Sequence, residues 1–120
     1  MKRLLLLILL GSLPTTVSAQ WAGWTPIILV FGGDCTFAQH FDRAIGDDVL
    51  APFSALPILA SADLAMVNLE NPITTRGRKV PKTFNFRMHP RYLASLIAGG
   101  VDIVTIANNH VMDYGPLGLF

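Results

Sequence analysis

Residues 99–110, GGVDIVTIANNH, carry the pattern that decides the fold. A glycine pair precedes the β-branched apolar run Ile103 to Ala107 (IVTIA), and two asparagines and a histidine follow it directly. A continuous apolar run of this kind is typical of a strand that is buried on both faces of a parallel sheet. The polar residues then lie at the carboxyl end of that strand.

Two earlier runs have the same composition, Ile27 to Phe31 (IILVF) and Leu64 to Leu69 (LAMVNL), and Phe84 to Arg87 (FNFR) is a candidate for a short extra strand. Buried strands separated by helical segments indicate a parallel α/β sheet with right-handed crossovers. The predicted fold class is therefore α/β, with mainly parallel strands at residues 27–31, 64–69 and 103–107.

The segments between the runs predict helices of different regularity. Leu93, Leu96 and Ile97 have the spacing of one helix face, with Pro90 in the first turn and a glycine pair at the end. Between the first two runs, Pro57 permits only a short or kinked helix.

Composition excludes several classes of protein. The 120 residues are 52% hydrophobic and 14% charged, which excludes a disordered tail. The net charge of +1 gives no sign of a general nucleic-acid binder, so no nucleic-acid partner is expected. The single cysteine, Cys35, excludes a disulfide framework and a cysteine-based zinc module, and a small buried thiol is the simplest interpretation.

Residues 1–19 predict a secretory signal peptide, because two basic residues precede the apolar run Leu4 to Leu10 and small residues precede the cleavage site after Ala19. The run is far shorter than the roughly 20 residues that span a bilayer, although an uncleaved anchor is the alternative. Residues 20–120 are then expected on the periplasmic or extracellular face of the cell envelope, with the membrane contacted only through the N-terminal segment.

Polar side chains follow all three predicted strands, at the edge where parallel sheets bind ligands. They are Asp34 after the first strand, Glu70 after the second, and Asn108, Asn109 and His110 after the third. Mixed oxygen and nitrogen ligands of this kind suit Mn, Fe or Zn, and a pair of such metals can hold a phosphoester and activate a water.

Each of these polar residues also has a structural interpretation. Turn or capping roles fit Asp34, Asn71 and Asn108 individually. Asp113 fits the start of a helix that has Pro116 in its first turn. His40 and His89 are interpreted as surface or capping residues rather than ligands.

The chain resembles the N-terminal part of the bacterial capsule-synthesis protein CapA family in three segments, GGDCTF, ADLAMVNLENPIT and GGVDIVTIANNHVMDYGPLGL. That family is associated with poly-γ-glutamate biosynthesis and is related to calcineurin-like metallophosphoesterases. The resemblance covers about residues 27–120, and ANNHxxDxG is its most specific motif. It implies that residues 20–120 are the N-terminal part of a layered, metallophosphoesterase-like domain.

The resemblance also implies a divalent metal site, with Mn, Fe or Zn as the cofactor of the complete family fold. Asp34 would be a first ligand, Glu70 the bridging carboxylate and Asn109 the amide ligand. His110 would be the catalytic imidazole that stabilises or protonates the reacting phosphate. Thr36 stands where metallophosphoesterases commonly have a histidine, so one imidazole ligand is missing.

A basic stretch that includes Arg76, Arg78 and Lys79 has no acidic residue between Glu70 and Asp102. These three residues are candidates for binding an anionic envelope polymer such as poly-γ-glutamate, and a solvated surface loop is the alternative. Other capsule-synthesis components are the alternative partners.

Three functional interpretations follow. The first is an exported CapA-like protein acting at a phosphoester or amide-type bond in capsule or poly-γ-glutamate biosynthesis. The second is a noncatalytic envelope component, and the third is a nonfunctional truncation product. The helix predicted from Pro116 reaches only Phe120, so we expect a fragment with an uncovered sheet face and no phosphoesterase activity of its own.

Overall fold

The computed structural model describes residues 25–38 and 41–119. In chain order the elements are β1 (Leu29–Cys35), α1 (Phe41–Ile45), a 3-10 turn (Ala51–Phe53), α2 (Pro57–Ser61), β2 (Leu64–Leu69), a second 3-10 turn (Pro90–Tyr92), α3 (Leu93–Ala98), β3 (Ile103–Thr105) and α4 (Pro116–Leu119). The predicted signal peptide and His40 lie outside the described residues. Within the described ranges, none of the helices has the length and apolar character that crossing a membrane requires.

The three strands form one parallel sheet in the order β1-β2-β3. Met66 at the centre of β2 pairs with Phe31 of β1 and with Ile103 of β3. This arrangement confirms the predicted α/β class. The bounds differ slightly, since β1 starts later than Ile27 and β3 ends at Thr105.

Strand β1 continues through the glycine pair that was expected to end it. The register with β2 shifts between Phe31 and Asp34, so that Asp34 pairs with Asn68. The backbone at Gly32 lies close to β2, because a Cβ there would be 3.0 Å from Val67 Cγ1. An extra residue in one strand re-aims the side chains that follow it. Asp34 is therefore a residue of the strand rather than of the loop after it.

One face of the sheet carries the hydrophobic core. Side chains alternate along β2, with Ala65, Val67 and Leu69 buried. Leu69 packs in a cluster with Phe37, Met88, Tyr92 and Leu96. This alternation is the pattern of a sheet that is covered on one side.

Helix α3 covers that face, but through different residues from those predicted. Leu96 is buried, whereas Leu93 is exposed and Ile97 is 70% exposed. The buried positions are Tyr92, Ser95 and Leu96, which share a face because they lie three and four residues apart. His89 accepts a hydrogen bond from the Arg91 backbone N–H, which confirms its predicted capping role.

The opposite face of the sheet is uncovered in the described part of the chain. Leu29 and Ile103 are exposed, and Phe31 is 64% exposed. The prediction of strands buried on both faces is therefore wrong for β1 and β3. Apolar composition cannot reveal whether a neighbouring element packs on a face. The expected exposed apolar patch is present.

Of two local predictions, one is wrong and one is confirmed. Phe84 to Arg87 forms no strand, and the pairing nearby is a single bridge between Ile73 and Met88. The segment between β1 and β2 is broken into short helical pieces, as Pro57 indicated. Pro57 itself begins α2, because proline needs no hydrogen-bond acceptor in a first helical turn.

Cys35 is a free thiol that packs against the core cluster. Burial disfavours the thiolate and raises the pKa of this thiol to about 11, from an ordinary value of 9.0. The expected result is alkylation by iodoacetamide about 100-fold slower in the folded protein than in urea at pH 8, with the rate rising toward pH 11. Labelling followed by mass spectrometry, with a chelator present, measures both rates. Equal rates at pH 8 would contradict the buried thiol.

Candidate functional site

The ends of all three strands are joined by one side-chain amide, that of Asn68. Its Nδ2 donates to Asp34 Oδ1 at 2.9 Å and to Glu70 Oε2 at 2.5 Å. Its Oδ1 accepts from Thr105 Oγ1 at 3.0 Å and from Asn108 Nδ2 at 3.1 Å. The predicted residues Asp34 and Glu70 are therefore brought together. We call Asp34, Asn68, Glu70, Asn108 and His110 the strand-end cluster.

Asn108 holds the loop after β3 against β2. Its Nδ2 also donates to the Leu69 carbonyl at 2.8 Å, and its Oδ1 accepts from the His110 backbone N–H at 2.9 Å. These contacts support the structural interpretation of this asparagine. Asn109, the predicted amide ligand, has an exposed side chain, and its backbone carbonyl accepts from Lys82 Nζ at 2.9 Å.

His110 is almost buried, and both of its ring nitrogens face carboxylates. Nδ1 lies 2.7 Å from Asp113 Oδ2, and Nε2 lies 3.9 Å from Glu70 Oε1. Lys82 Nζ also lies 3.3 Å from Nδ1. Because an ionised carboxylate only accepts hydrogen bonds and the Asp113 contact is the shorter one, we assign the proton of the neutral ring to Nδ1. In the neutral ring, Nε2 is left as the basic nitrogen on the side of the strand-end cluster. The Phe86 ring stacks on the imidazole at 4.2 Å.

Asp113 is completely buried and fixes the histidine in place. Its Oδ2 also accepts from the Phe86 backbone N–H at 2.6 Å, and its Oδ1 pairs with Lys82. Burial alone would raise the pKa of this carboxyl, but hydrogen bonds from Lys82, Phe86 and His110 lower it below its usual value. Asp113 is therefore ionised at neutral pH.

The prediction that Asp113 starts a helix is wrong, because its carboxylate is bound by residues outside α4. The sequence could not reveal this role of Asp113, because its partners Lys82 and Phe86 are distant in sequence. Lys82 and Phe86 themselves were missed. The Asp in the ANNHxxDxG motif was a signal for Asp113, whereas no local pattern distinguishes Lys82 from the other cations of its stretch.

The basic stretch packs against the segment that follows His110. The Arg78 backbone N–H donates to the Tyr114 carbonyl at 3.3 Å, and the Val80 backbone N–H donates to the Asp113 carbonyl at 3.0 Å. Gly77 makes this approach possible. The Arg76, Arg78 and Lys79 side chains are exposed, and Lys79 lines a cavity whose walls include Tyr114. The backbone of the basic stretch therefore packs against the segment that carries Asp113 and Tyr114, and its side chains add positive charge there.

The donors at the sheet edge match a divalent metal in kind but do not complete a site. Asp34, Glu70 and His110 offer oxygen and nitrogen ligands of the type that Mn, Fe and Zn accept. Within residues 25–38 and 41–119, however, no group of three or more His, Cys, Asp or Glu side chains is placed to hold a metal ion. The Glu70 and His110 pair, at 3.9 Å, is the nearest approach of carboxylate and imidazole in the strand-end cluster.

Comparison with known proteins adds independent information. The family model described as bacterial capsule synthesis protein PGA_cap matches residues 28–120. Two curated proteins, from Mycobacterium tuberculosis strains CDC 1551 / Oshkosh and ATCC 25618 / H37Rv, are each named probable polyglutamine synthesis accessory protein. Each is 37% identical over 68 residues, which is 54% of this chain and 18% of the relative. The aligned part of the chain thus spans less than a fifth of those relatives.

Proposed function

Because this chain belongs to the bacterial capsule synthesis protein family, we propose that it is an exported protein that acts in capsule or poly-γ-glutamate biosynthesis. The proposal places its chemistry at the strand-end cluster. The observation that carries it is the orientation of His110 by the buried Asp113 carboxylate at 2.7 Å.

His110 is suited to proton transfer at a phosphoester or amide-type bond. With Nδ1 held by Asp113, Nε2 takes up or delivers a proton on the side that faces Glu70. The buried carboxylate stabilises the positive ring that forms when Nε2 is protonated. The Phe86 ring covers one face of the imidazole and keeps water from it.

A divalent metal, Mn, Fe or Zn, is part of the proposal. Asp34, Glu70 and Asn109 are the residues that would hold it, and a bound ion would supply Lewis-acid polarisation of the substrate. The shared contact of Asp34 and Glu70 with Asn68 supports this assignment, because it brings two carboxylates to one point of the sheet edge. Further ligands are needed to complete the site.

The metal assignment predicts the behaviour of two variants. Asp34→Ala and Glu70→Ala are each expected to bind Mn or Zn at least about tenfold more weakly than wild type, because each removes a charged ligand. Metal content after gel filtration, measured by mass spectrometry, tests this directly. Asp47→Ala is the matched control, since the Asp47 side chain is 96% exposed and lies outside the cluster. Equal metal retention by all three variants would contradict the assignment.

A noncatalytic envelope component is the second candidate. The absence of a three-donor group in the described ranges favours it. Phosphodiesterase and polymer-cleavage assays on the purified protein distinguish the two, together with capsule formation in cells that carry Asp34→Ala, Glu70→Ala or His110→Ala. Unchanged capsule formation by these variants, with no metal bound, would favour the second candidate.

A further inference from the structure

A second concave site is lined by residues that the strand-end cluster does not use. It is an open cavity of about 290 Å³. Its polar lining includes Thr74, Lys79, Asn85, Arg87, His89 and Tyr114. Asp113 and Tyr114 are neighbours in the chain and link the cavity to the strand-end cluster. The Asp113 carboxylate holds His110 of the cluster, and Tyr114 lines the cavity.

The cavity is rich in positive donors. Lys79 and Arg87 are exposed, and no ion pair engages either of them within the described ranges. The Arg87 guanidinium lies 4.4 Å above the centre of the Tyr114 ring, which orients it. His89 Nδ1 accepts from the Arg91 backbone N–H at 3.2 Å, so its proton is on Nε2 and the ring is a further donor. These groups together favour an anion.

Asn85 gives the cavity an amide oxygen that can accept a hydrogen bond. Asn85 Nδ2 donates to the Val80 carbonyl at 3.2 Å and to the Asp113 carbonyl at 3.3 Å, which uses both of its hydrogens. The Asn85 Oδ1 is then left as a hydrogen-bond acceptor for a ligand. An amide next to a carboxylate satisfies both the acceptor and the cations.

We propose that this cavity binds a segment of an acidic polyamide, with the ligand carboxylate at Lys79 and Arg87 and an amide N–H at Asn85 Oδ1. The inference rests on the proposed function, since it identifies where the chain would hold its polymer. Thr74 Oγ1 accepts from the Arg76 backbone N–H at 3.0 Å, which leaves its hydroxyl hydrogen for the ligand.

Binding of a dye-labelled γ-linked decaglutamate to the full chain, followed by fluorescence polarisation, tests the cavity. Lys79→Gln and Arg87→Gln are each expected to weaken binding about tenfold, because each removes a charge-assisted hydrogen bond. Lys79→Arg keeps the charge and is expected to retain binding. Arg43→Gln makes the same change of charge on α1, outside the cavity, and is the matched control. Circular dichroism confirms that the variants stay folded.

The outcomes separate the cavity from the proposed function. Two results would overturn the proposed binding at the cavity but leave the proposed function standing. One is equal weakening by Arg43→Gln, and the other is displacement of the labelled oligomer by inorganic phosphate as readily as by unlabelled decaglutamate. A neutral γ-linked oligoglutamine should not compete, and equal competition would also overturn it. Unchanged capsule polymer in cells that lack the protein would instead count against the proposed function.

Discussion

In a protein that carries the complete metal site, replacing His110 with alanine is expected to lower the turnover of a phosphodiester or polymer substrate by about 10²- to 10⁴-fold, the usual contribution of a positioned acid or base. The loss should fall on kcat rather than on KM, because the imidazole transfers a proton in the transition state and contributes little to holding a long polymer. Steady-state kinetics of the protein with its complete metal site, at neutral pH, measures both constants.

Chemical rescue separates proton transfer from a structural role of His110. Added imidazole should restore part of the activity of His110→Ala, because it can occupy the vacated space beside Asp113. Unrestored activity together with a lowered unfolding midpoint would instead identify His110 as a structural residue. A full-rate His110→Ala protein would contradict the proposed chemistry outright.

Protonation of the Asp113 carboxyl determines how far the pH can fall before its contacts with Lys82 and His110 are weakened. Because the pKa of its carboxyl is lowered in the folded protein, its ion pair contributes stability above the ordinary carboxyl pKa. That contribution is lost as the pH falls through the lowered folded value. The carboxylate therefore keeps its charge across the neutral range, and protonation of Asp113 does not limit turnover there.

The sheet and the edge that carries the site could be predicted from the sequence for a topological reason. Continuous apolar runs located the strands, and parallel strands place their carboxyl ends on one edge. Asp34 and Glu70 followed from that rule without any side-chain information. The apolar runs themselves do not tell whether each strand face is covered, because the same run fits a covered and an uncovered strand. The uncovered face was expected from the short helix predicted at Pro116, not from the runs. Phe31, at 64% exposure, is the clearest example.

The hydrogen-bonding centre of the site could not be predicted in the same way. Asn68 stands among the polar residues at the end of the second predicted strand, but nothing in the sequence indicates that its amide hydrogen-bonds to both neighbouring strands. Lys82 and Asp113 meet across a long sequence separation, and no periodicity links them. Sequence patterns report which face or edge a residue shares, whereas tertiary pairs of charges depend on how the loops pack.

The basic stretch shows how one compositional feature divides into separate roles. Its charges suggested a single binding surface for a polyanion. Lys82 instead neutralises the buried Asp113 carboxylate, while Lys79 lines the cavity next to Tyr114. The positive charge therefore both stabilises the histidine pair and offers a place for an anionic ligand.

Gly77→Ala is expected to destabilise the fold by about 3 kcal/mol, because two costs add at this position. Gly77 has a φ of 77°, in the region where a Cβ is unfavourable. An added Cβ would also lie 2.1 Å from the Tyr114 carbonyl oxygen and 2.9 Å from the Gly118 backbone nitrogen. Neither backbone atom can move aside as a flexible side chain does. Urea unfolding followed by circular dichroism measures the change.

Gly46→Ala measures the backbone part of that cost alone, so the difference between the two variants gives the steric part. Gly46 also has a positive φ, of 59°, but a Cβ there meets nothing within 4 Å, so about 1 kcal/mol is expected. Equal effects of the two substitutions would show that the loop does not pack closely on Tyr114. A larger effect at Gly77 should be accompanied by weaker oligoglutamate binding, because the loop that carries Lys79 would separate from the segment that carries Tyr114. Gly77 is thus the position at which the stability of the fold and the shape of the cavity depend on the same contact.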